Sequence, residues 1–67
     1  MAYGELIGKF GRVTATIPAG GENKGEIMID GEAYHGLATD RDNAIEKGTR
    51  VVVVEYEPPR TVVVTPY

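Results

Sequence analysis

The side chains that could do chemistry in this chain are carboxylates, one histidine and a few basic groups. There are 10 Asp and Glu residues and one His, but neither Cys nor Ser, which excludes serine and cysteine nucleophiles and thiolate metal sites. Paired carboxylates can perform acid–base work when burial separates their pKa values. Each acidic pair here flanks a predicted turn or strand end, so solvation and turn formation are the favoured explanation. The pairs are Asp30 with Glu32, Asp40 with Asp42, and Glu55 with Glu57.

His35 and the glycine-rich segment 19–25 are the other candidates for a chemical role. No second His and no Cys accompany His35, so a structural position on a strand is favoured over a metal site. The segment 19–25 lacks the Gly-Lys-Ser/Thr ending and the strand-to-helix context of a phosphate-binding loop. An enzyme would need His35 and the carboxylates to form one site, and this hypothesis ranks third. The sequence therefore predicts no catalytic, cofactor-binding or metal-ligating residues.

Length and composition indicate one small domain. The chain has 67 residues, 42% of them hydrophobic, and a net charge of −3. We predict a single domain over 1–67 with its core over about 5–66. The four valines Val51–Val54 are far fewer than the roughly 20 apolar residues of a membrane-spanning helix, so this segment is not expected to insert into a membrane. The negative charge argues against a nucleic-acid partner, because affinity for phosphates rests on clustered Lys and Arg.

The residues with a possible function must be held by β-strands. Val, Ile, Thr and Tyr dominate the sequence, glycines and prolines interrupt it, and no stretch has helical periodicity. The alternation predicts a first strand from Glu5 to Ile17, with Ile7, Val13 and Ala15 sharing the core face with Ile17. Glycines inside this strand indicate a bulge or bend, and a polar loop follows it.

The second and third strands, over 26–30 and 32–39, are predicted to form a hairpin. Ile27 and Ile29 alternate with polar residues and mark the buried face of the second strand. Asp30-Gly31 predicts a two-residue turn, because Gly tolerates the positive φ that such a turn requires. The third strand is ambiguous, and we favour the face that turns Tyr34 inward.

The segment 40–47 is polar and too short for a stable isolated helix. One helical turn, capped by Asp40 or Asp42, could carry Ala44 and Ile45 towards the core. Gly48 would end this turn in a left-handed conformation.

The fourth strand, over 49–57, and the fifth, over 61–65, are joined by the turn Glu57-Pro58-Pro59-Arg60. Their runs of valine indicate central strands that are partly covered on both faces. The pattern predicts an all-β, five-stranded Greek-key barrel of OB type, with at most one short helical turn between the third and fourth strands. An SH3-like barrel is the alternative.

An OB barrel that binds oligonucleotides uses its second and third strands and the adjoining loops. In this chain those elements offer Met28, Tyr34, Lys24 and Arg60, which make a poor stacking platform. Residues 22–46 carry seven acids against only two basic residues, and this charge would repel phosphates. An oligonucleotide-binding module is therefore the alternative function, supported by fold analogy alone.

Five motifs follow one another along nearly the whole chain. They are Leu6-Ile7-Gly8-Lys9-Phe10-Gly11-Arg12-Val13, Pro18-Ala19-Gly20, Gly25-Glu26-Ile27-Met28-Ile29-Asp30-Gly31-Glu32, Ile45-Glu46-Lys47-Gly48-Thr49-Arg50-Val51-Val52-Val53-Val54 and Val62-Val63-Val64-Thr65-Pro66. Together they resemble the C-terminal soluble domain of NfeD-like proteins. The loop after Pro18 is longer than the tight Pro-x-Gly turn expected in this family.

The resemblance implies a five-stranded OB barrel tethered behind transmembrane helices and linked with stomatin-, prohibitin- or flotillin-like membrane proteins. We therefore expect a soluble part of a larger membrane-anchored protein, with the cytoplasmic side favoured. Longer relatives carry a serine protease domain with a Ser-Lys dyad, which this Ser-free chain lacks. The family offers no catalytic residues to transfer and implies no cofactor.

The favoured function is a non-enzymatic interaction or scaffold module, acting with a stomatin-, prohibitin- or flotillin-like partner in membrane organisation or quality control. Its predicted contact residues are expected near one mouth of the barrel. They are Glu22, Asn23, Lys24, Met28, Pro58, Pro59 and Arg60. Pairing of a partner with an exposed strand edge is a second route.

Overall fold

The computed structural model describes residues 5–67, which form five β-strands. They are β1 (Phe10–Ala15), β2 (Gly25–Ile29), β3 (Glu32–Ala38), β4 (Arg50–Glu57) and β5 (Thr61–Pro66). The bounds of β2 to β5 agree with the predicted strands to within one residue. In this part of the chain, no helix has the length and apolar character needed to cross a membrane.

The strands form a closed barrel in the order β1, β2, β3, β5, β4. β4 pairs with β1 and closes the ring. Every neighbouring pair is antiparallel except β3 and β5, which run parallel. A parallel pair requires a crossover connection, and the segment between β3 and β5, including β4, provides it. This confirms the predicted five-stranded Greek-key barrel of OB type.

The first strand is shorter than predicted. Residues 6–9 form a hydrogen-bonded turn before β1, and Ile7 in this turn is 46% exposed. A register shift between Val13 and Ala15 in the pairing with β2 leaves Ala15 exposed, whereas Val13 and Ile17 are buried. The prediction that Ile7 and Ala15 face the core is therefore wrong, because the turn and the bulge interrupt the alternation of a regular strand.

The β2–β3 hairpin agrees with its prediction. Ile27 and Ile29 are buried, and Met28 between them is exposed. Asp30 has φ 52° and Gly31 has φ 81°, which are the two positive values that a type I′ turn requires. The turn fixes the register of the pair, so Met28 lies opposite Ala33.

Two glycines allow the strands to approach closely at the other end of this hairpin. Gly25 of β2 lies opposite Gly36 of β3, and the side chain of Ile17 packs over both. A Cβ on Gly25 would lie 2.5 Å from the carbonyl oxygen of Ala15, closer than real Cβ contacts. Tyr34, on the same face as Gly36, packs against the core, as predicted.

The segment after β3 makes a turn around Asp40 rather than the helical turn that the sequence allowed. The carboxylate of Asp40 accepts hydrogen bonds from the Asp42 N–H at 3.0 Å and from Nδ2 of Asn43 at 2.8 Å. This contact forms an Asx turn, in which the Asp40 carboxylate accepts the backbone N–H two residues later.

Ile45 is buried in the same connection, whereas Ala44 is exposed. Ile45 and Ile17 exchange two backbone hydrogen bonds of 2.9 Å as an isolated bridge. The prediction that Ala44 also faces the core is wrong, because an extended bridge turns neighbouring residues to opposite sides. Gly48 has a φ of 94°, as predicted.

The barrel interior is filled by aliphatic side chains. In β4, Val51 and Val53 are buried, whereas Val52 is half-buried and Val54 is exposed. Val54 stands at a register shift between Val53 and Glu55 in the pairing with β5. The buried cluster consists of Val13, Ile17, Ile27, Ile29, Ala38, Ile45, Val51, Val53, Val62 and Val64.

Candidate interaction site

The predicted contact residues that precede β2 and β5 lie at one end of the barrel. Nζ of Lys24 donates to Oγ1 of Thr61 at 3.2 Å, so Lys24 lies beside the residue that follows Arg60. Pro58 and Pro59 are exposed in the β4–β5 turn. The structure thus brings Lys24 together with the 58–60 turn. We call these residues, with Glu22 and Asn23, the mouth surface.

Arg60 is the most strongly held side chain of the mouth surface. Its Nε and Nη2 donate to the carbonyl oxygen of Ala33 at 3.1 and 2.6 Å, and Nη2 lies 3.4 Å from Oε1 of Glu32. Its Cζ lies 4.5 Å from the ring centroid of Tyr34. The guanidinium therefore covers Tyr34 and is occupied by groups of its own chain.

Glu22 and Asn23 are exposed in the loop before β2. The base of this loop is held by a hydrogen bond of 2.6 Å from the Gly20 N–H to the Arg41 carbonyl oxygen. Gly21 lies directly against the Arg41 side chain. The loop is therefore anchored on the segment after β3 and presents its polar residues to solvent.

Met28 occupies a different surface. It lies four residues along β2 from Lys24, which corresponds to roughly 13 Å in an extended strand. Its side chain is 39% exposed and lines a shallow depression of about 260 Å³ with Phe10, Gly11, Arg12 and Arg50. Met28 thus lines the outer wall of β1, β2 and β4, away from Lys24, although its cross-strand partner Ala33 accepts the hydrogen bonds of Arg60.

The outer wall carries an arginine–aromatic patch, which we define as Phe10, Arg12, Met28, Arg50 and Tyr67. Cζ of Arg50 lies 4.3 Å from the ring centroid of Phe10 and 6.0 Å from that of Tyr67. The two ring centroids are 5.0 Å apart. A guanidinium held at this distance from an aromatic face makes a cation–π contact. The patch is therefore ordered by contacts among its own side chains.

Neither this patch nor its arginine pair is predicted from the sequence. The sequence signal would have been Phe10 and Arg12, which are two positions apart and so share a strand face. Recognising the rest of the patch requires the barrel register, because Arg50 and Tyr67 come from β4 and the C-terminal end of the chain.

The carboxylates are held by local contacts. Asp30 pairs with Nζ of Lys9 at 2.5 Å, and this hydrogen bond, followed by the charge of Asp30, raises the pKa of Lys9 above its ordinary value. The hydrogen bond from Asn43, followed by that from the Asp42 N–H, lowers the pKa of Asp40. Both pKa shifts occur at exposed side chains. They are therefore explained by hydrogen bonds at turns and do not indicate a buried acid–base site.

The histidine and the acids do not converge on a metal-binding arrangement. Within residues 5–67, no group of three or more His, Asp or Glu side chains could hold a metal ion. His35 is exposed on β3, opposite Glu26 of β2. A second depression, about 80 Å³ in volume, lies beside Asp40 and Ile45, and it is too small for a typical ligand, which needs about 300 Å³ or more.

These features define a small closed barrel domain with an aliphatic interior and with its polar and charged side chains on the outer surface. The family model of the NfeD C-terminal domain matches residues 10–65. The chain therefore belongs to the NfeD C-terminal domain family, as the sequence motifs predicted. This family is a non-catalytic one.

Two solved structures are similar to this chain over most of its length. The C-terminal domain of stomatin operon partner protein 1510-C from Pyrococcus horikoshii is 28% identical, with a TM-score of 0.78, and the match covers 94% of this chain and 89% of that one. The soluble domain of a membrane protein implicated in regulation of membrane protease activity, from Corynebacterium glutamicum, is 22% identical, with a TM-score of 0.79 and coverage of 90% and 89%. The second similarity supports the fold alone. The comparison with curated proteins found no match.

Proposed function

We propose that this domain is a non-enzymatic interaction module of a membrane-anchored NfeD-like protein. Aliphatic side chains fill the barrel interior, whereas the mouth surface and the arginine–aromatic patch are exposed. This observation is the main support for the proposal. A filled barrel of this kind offers its outside for recognition. Membership of the NfeD C-terminal domain family is the reason for proposing a membrane anchor, and we propose the cytoplasmic side.

The partner we propose is a stomatin-, prohibitin- or flotillin-like membrane protein, with which the domain acts in membrane organisation or quality control. The Pyrococcus relative is described as a stomatin operon partner, which supports this choice. The mouth surface is the predicted contact, because Lys24 and the 58–60 turn lie together there. Pairing with a strand edge is the less favoured route, since the barrel is closed and closure removes free edges.

An amide NMR titration tests this proposal. The isotopically labelled domain is titrated with the soluble part of a stomatin-like protein from the same organism. We expect shifts confined to one contiguous surface, and Lys24→Ala weakens binding if the mouth surface is the contact. Lys47→Ala, which removes another exposed lysine, from the segment before β4, is the control. Absence of shifts at high partner concentration would contradict the proposed function.

A further inference from the structure

The arginine–aromatic patch contains two like charges in direct opposition. Arg12 of β1 pairs with Arg50 of β4 in the antiparallel register, so both side chains leave the barrel on the same face. Like charges placed directly opposite each other on neighbouring strands destabilise a sheet, whereas opposite charges stabilise it. The domain thus carries an unfavourable arrangement at its surface that a bound anionic group would relieve.

Neither arginine of this pair has a carboxylate partner within residues 5–67. This distinguishes the pair from Lys9, which binds Asp30, and from Arg60, which binds Glu32. A chain with 10 acids and 7 basic residues has carboxylates enough to neutralise the patch. Because no side-chain carboxylate of the described residues pairs with Arg12 or Arg50, the patch carries a local positive charge on an acidic molecule, and this charge is complementary to an acidic partner.

Both guanidinium groups are already held in position. Nη1 of Arg12 donates to the carbonyl oxygen of Gly48 at 2.8 Å, and Arg50 stacks on Phe10 at 4.3 Å. When a guanidinium stacks on an aromatic ring, only its flat face is covered. Its N–H groups point outwards in the guanidinium plane and can still bind both oxygens of a carboxylate. Because the side chains are ordered before binding, less conformational entropy is lost when a ligand binds.

The patch also offers an apolar contact. Met28 is 39% exposed and Phe10 is 43% exposed, and both line the depression of about 260 Å³ beside the two arginines. Methionine adapts its shape to different apolar partners. A ligand that suits this surface therefore combines a carboxylate with a neighbouring apolar side chain.

We propose that the arginine–aromatic patch binds a short acidic segment of a partner protein, with a carboxylate between Arg12 and Arg50 and an apolar side chain against Met28 and Phe10. The inference rests on the proposed function as an interaction module, and it adds a surface and the chemistry of its partner. An anionic membrane is the less favoured occupant, because its many charges would act on the whole domain, which carries a charge of −3, whereas a short acidic segment meets mainly the local positive charge of the two arginines.

The test is selection from a random peptide library displayed on phage, followed by affinity measurements on the enriched peptides. We expect enriched peptides to carry Asp or Glu beside an apolar residue. Arg12→Gln/Arg50→Gln should weaken their binding about tenfold or more, because charge-assisted hydrogen bonds are lost. The control Arg41→Gln/Lys47→Gln removes the same total charge from exposed positions outside the patch and should leave the affinity nearly unchanged. Equal NMR spectra outside the substituted sites establish that both variants are folded.

Three results would overturn the inference. In the first, the library yields no enriched peptides, or peptides that bind Arg12→Gln/Arg50→Gln as well as the unchanged domain. In the second, the peptides fail, but vesicles of phosphatidylcholine and phosphatidylserine bind through Arg12 and Arg50, which assigns the patch to a membrane. In the third, sedimentation shows that the arginines join two copies of this chain and that no peptide competes.

Titration with the soluble part of the stomatin-like protein separates this inference from the proposed function. If that protein binds the unchanged domain and the Arg12→Gln/Arg50→Gln variant equally well, the patch is not its contact and only the inference fails. If that protein does not bind while acidic peptides bind through the two arginines, the inference stands and the proposed partner is wrong.

Discussion

At the residue scale, the glycine pair of β2 and β3 determines how closely Ile17 packs against the sheet. Gly25 and Gly36 lie opposite each other beneath this side chain. A Cβ on Gly25 would meet backbone, namely the Ala15 carbonyl oxygen at 2.5 Å and Cα of Ile17 at 2.8 Å. A Cβ on Gly36 would meet side-chain atoms only, namely Cδ1 and Cγ1 of Ile27 and Cδ1 of Ile17.

We therefore expect Gly25→Ala to destabilise the domain more than Gly36→Ala. Overpacking costs about 1–3 kcal/mol, and Gly25→Ala should lie at the upper end, because the backbone at Ala15 cannot move without disturbing β1. This is a large part of the roughly 3–10 kcal/mol expected for a domain of this size. Urea unfolding of the two variants provides the comparison. Equal transition midpoints would contradict the described close approach.

Asp40 supplies a second prediction for a single residue. Its pKa is lowered by the hydrogen bond from Asn43 and then by that from the Asp42 N–H. A folded-state pKa below the unfolded value contributes stability above the ordinary pKa, and that stability is lost as the pH falls through the folded value. The stability that the Asp40 carboxylate contributes is therefore lost at pH values below about 3.8, the ordinary pKa of this side chain.

Asn43→Ala should raise the pKa of Asp40 towards its ordinary value, because the first of these hydrogen bonds is removed. A carbon-detected NMR titration of the Asp40 carboxyl group measures the change. Asn23→Ala, which removes an exposed amide from the loop before β2, should leave this pKa where it is. If Asn43→Ala has no effect either, the side-chain hydrogen bond does not form in solution.

At the element scale, β4 places identical residues in opposite environments. Val53 is 1% exposed, whereas its neighbour Val54 is 43% exposed at the bulge. Threonine has nearly the same shape as valine and is also favoured in strands. Replacing each valine with threonine therefore changes mainly the polarity of the side chain, and the cost of that change depends on burial. This pair tests the pleat of β4 and the position of its bulge together.

Val53→Thr should cost about 1–3 kcal/mol, because its hydroxyl group is buried in an aliphatic core without an obvious partner. Val54→Thr should change the free energy of unfolding by less than about 0.5 kcal/mol, as expected for an exposed position. Thermal or chemical unfolding of both variants gives the two values. A larger loss for Val54→Thr would mean that the bulge lies elsewhere in β4.

At the scale of the whole molecule, the barrel separates its basic residues. Arg12 and Arg50 lie opposite each other on the outer wall and Lys24 lies beside Thr61 at the mouth, while Glu26, Asp30 and Glu32 belong to the β2–β3 hairpin that OB barrels use for oligonucleotides. The charge distribution therefore favours a protein partner over a nucleic acid.

We accordingly expect no measurable binding of a fluorescent single-stranded oligonucleotide at low salt. Electrostatic binding to phosphates is strongest under that condition and falls steeply as salt is added. Fluorescence anisotropy over a salt series measures it, with an OB-fold protein that binds single strands as the positive control. Salt-dependent binding by this domain would favour the alternative oligonucleotide-binding function.

The sequence alone predicts most of the fold because the required signals are local. The Asp30-Gly31 turn depends on two neighbouring residues that accept positive φ, and the alternation of Ile27 and Ile29 has the period of a strand. The two ends of β1, in contrast, are not determined by residues that are neighbours in the sequence. The bulge between Val13 and Ala15 depends on the partner strand, so a regular alternation assigns Ile7 and Ala15 to the wrong environment.

The candidate sites, too, could be predicted from the sequence only in part. The sequence determined that this protein is an acidic, serine- and cysteine-free β-barrel domain, and its motifs pointed to the family. Only the tertiary structure decided which exposed residues share a surface. It places Met28 beside Arg12 and Arg50 rather than beside Lys24, and it places Arg12 opposite Arg50, because the pairing of β1 with β4 brings together residues that are far apart in the chain.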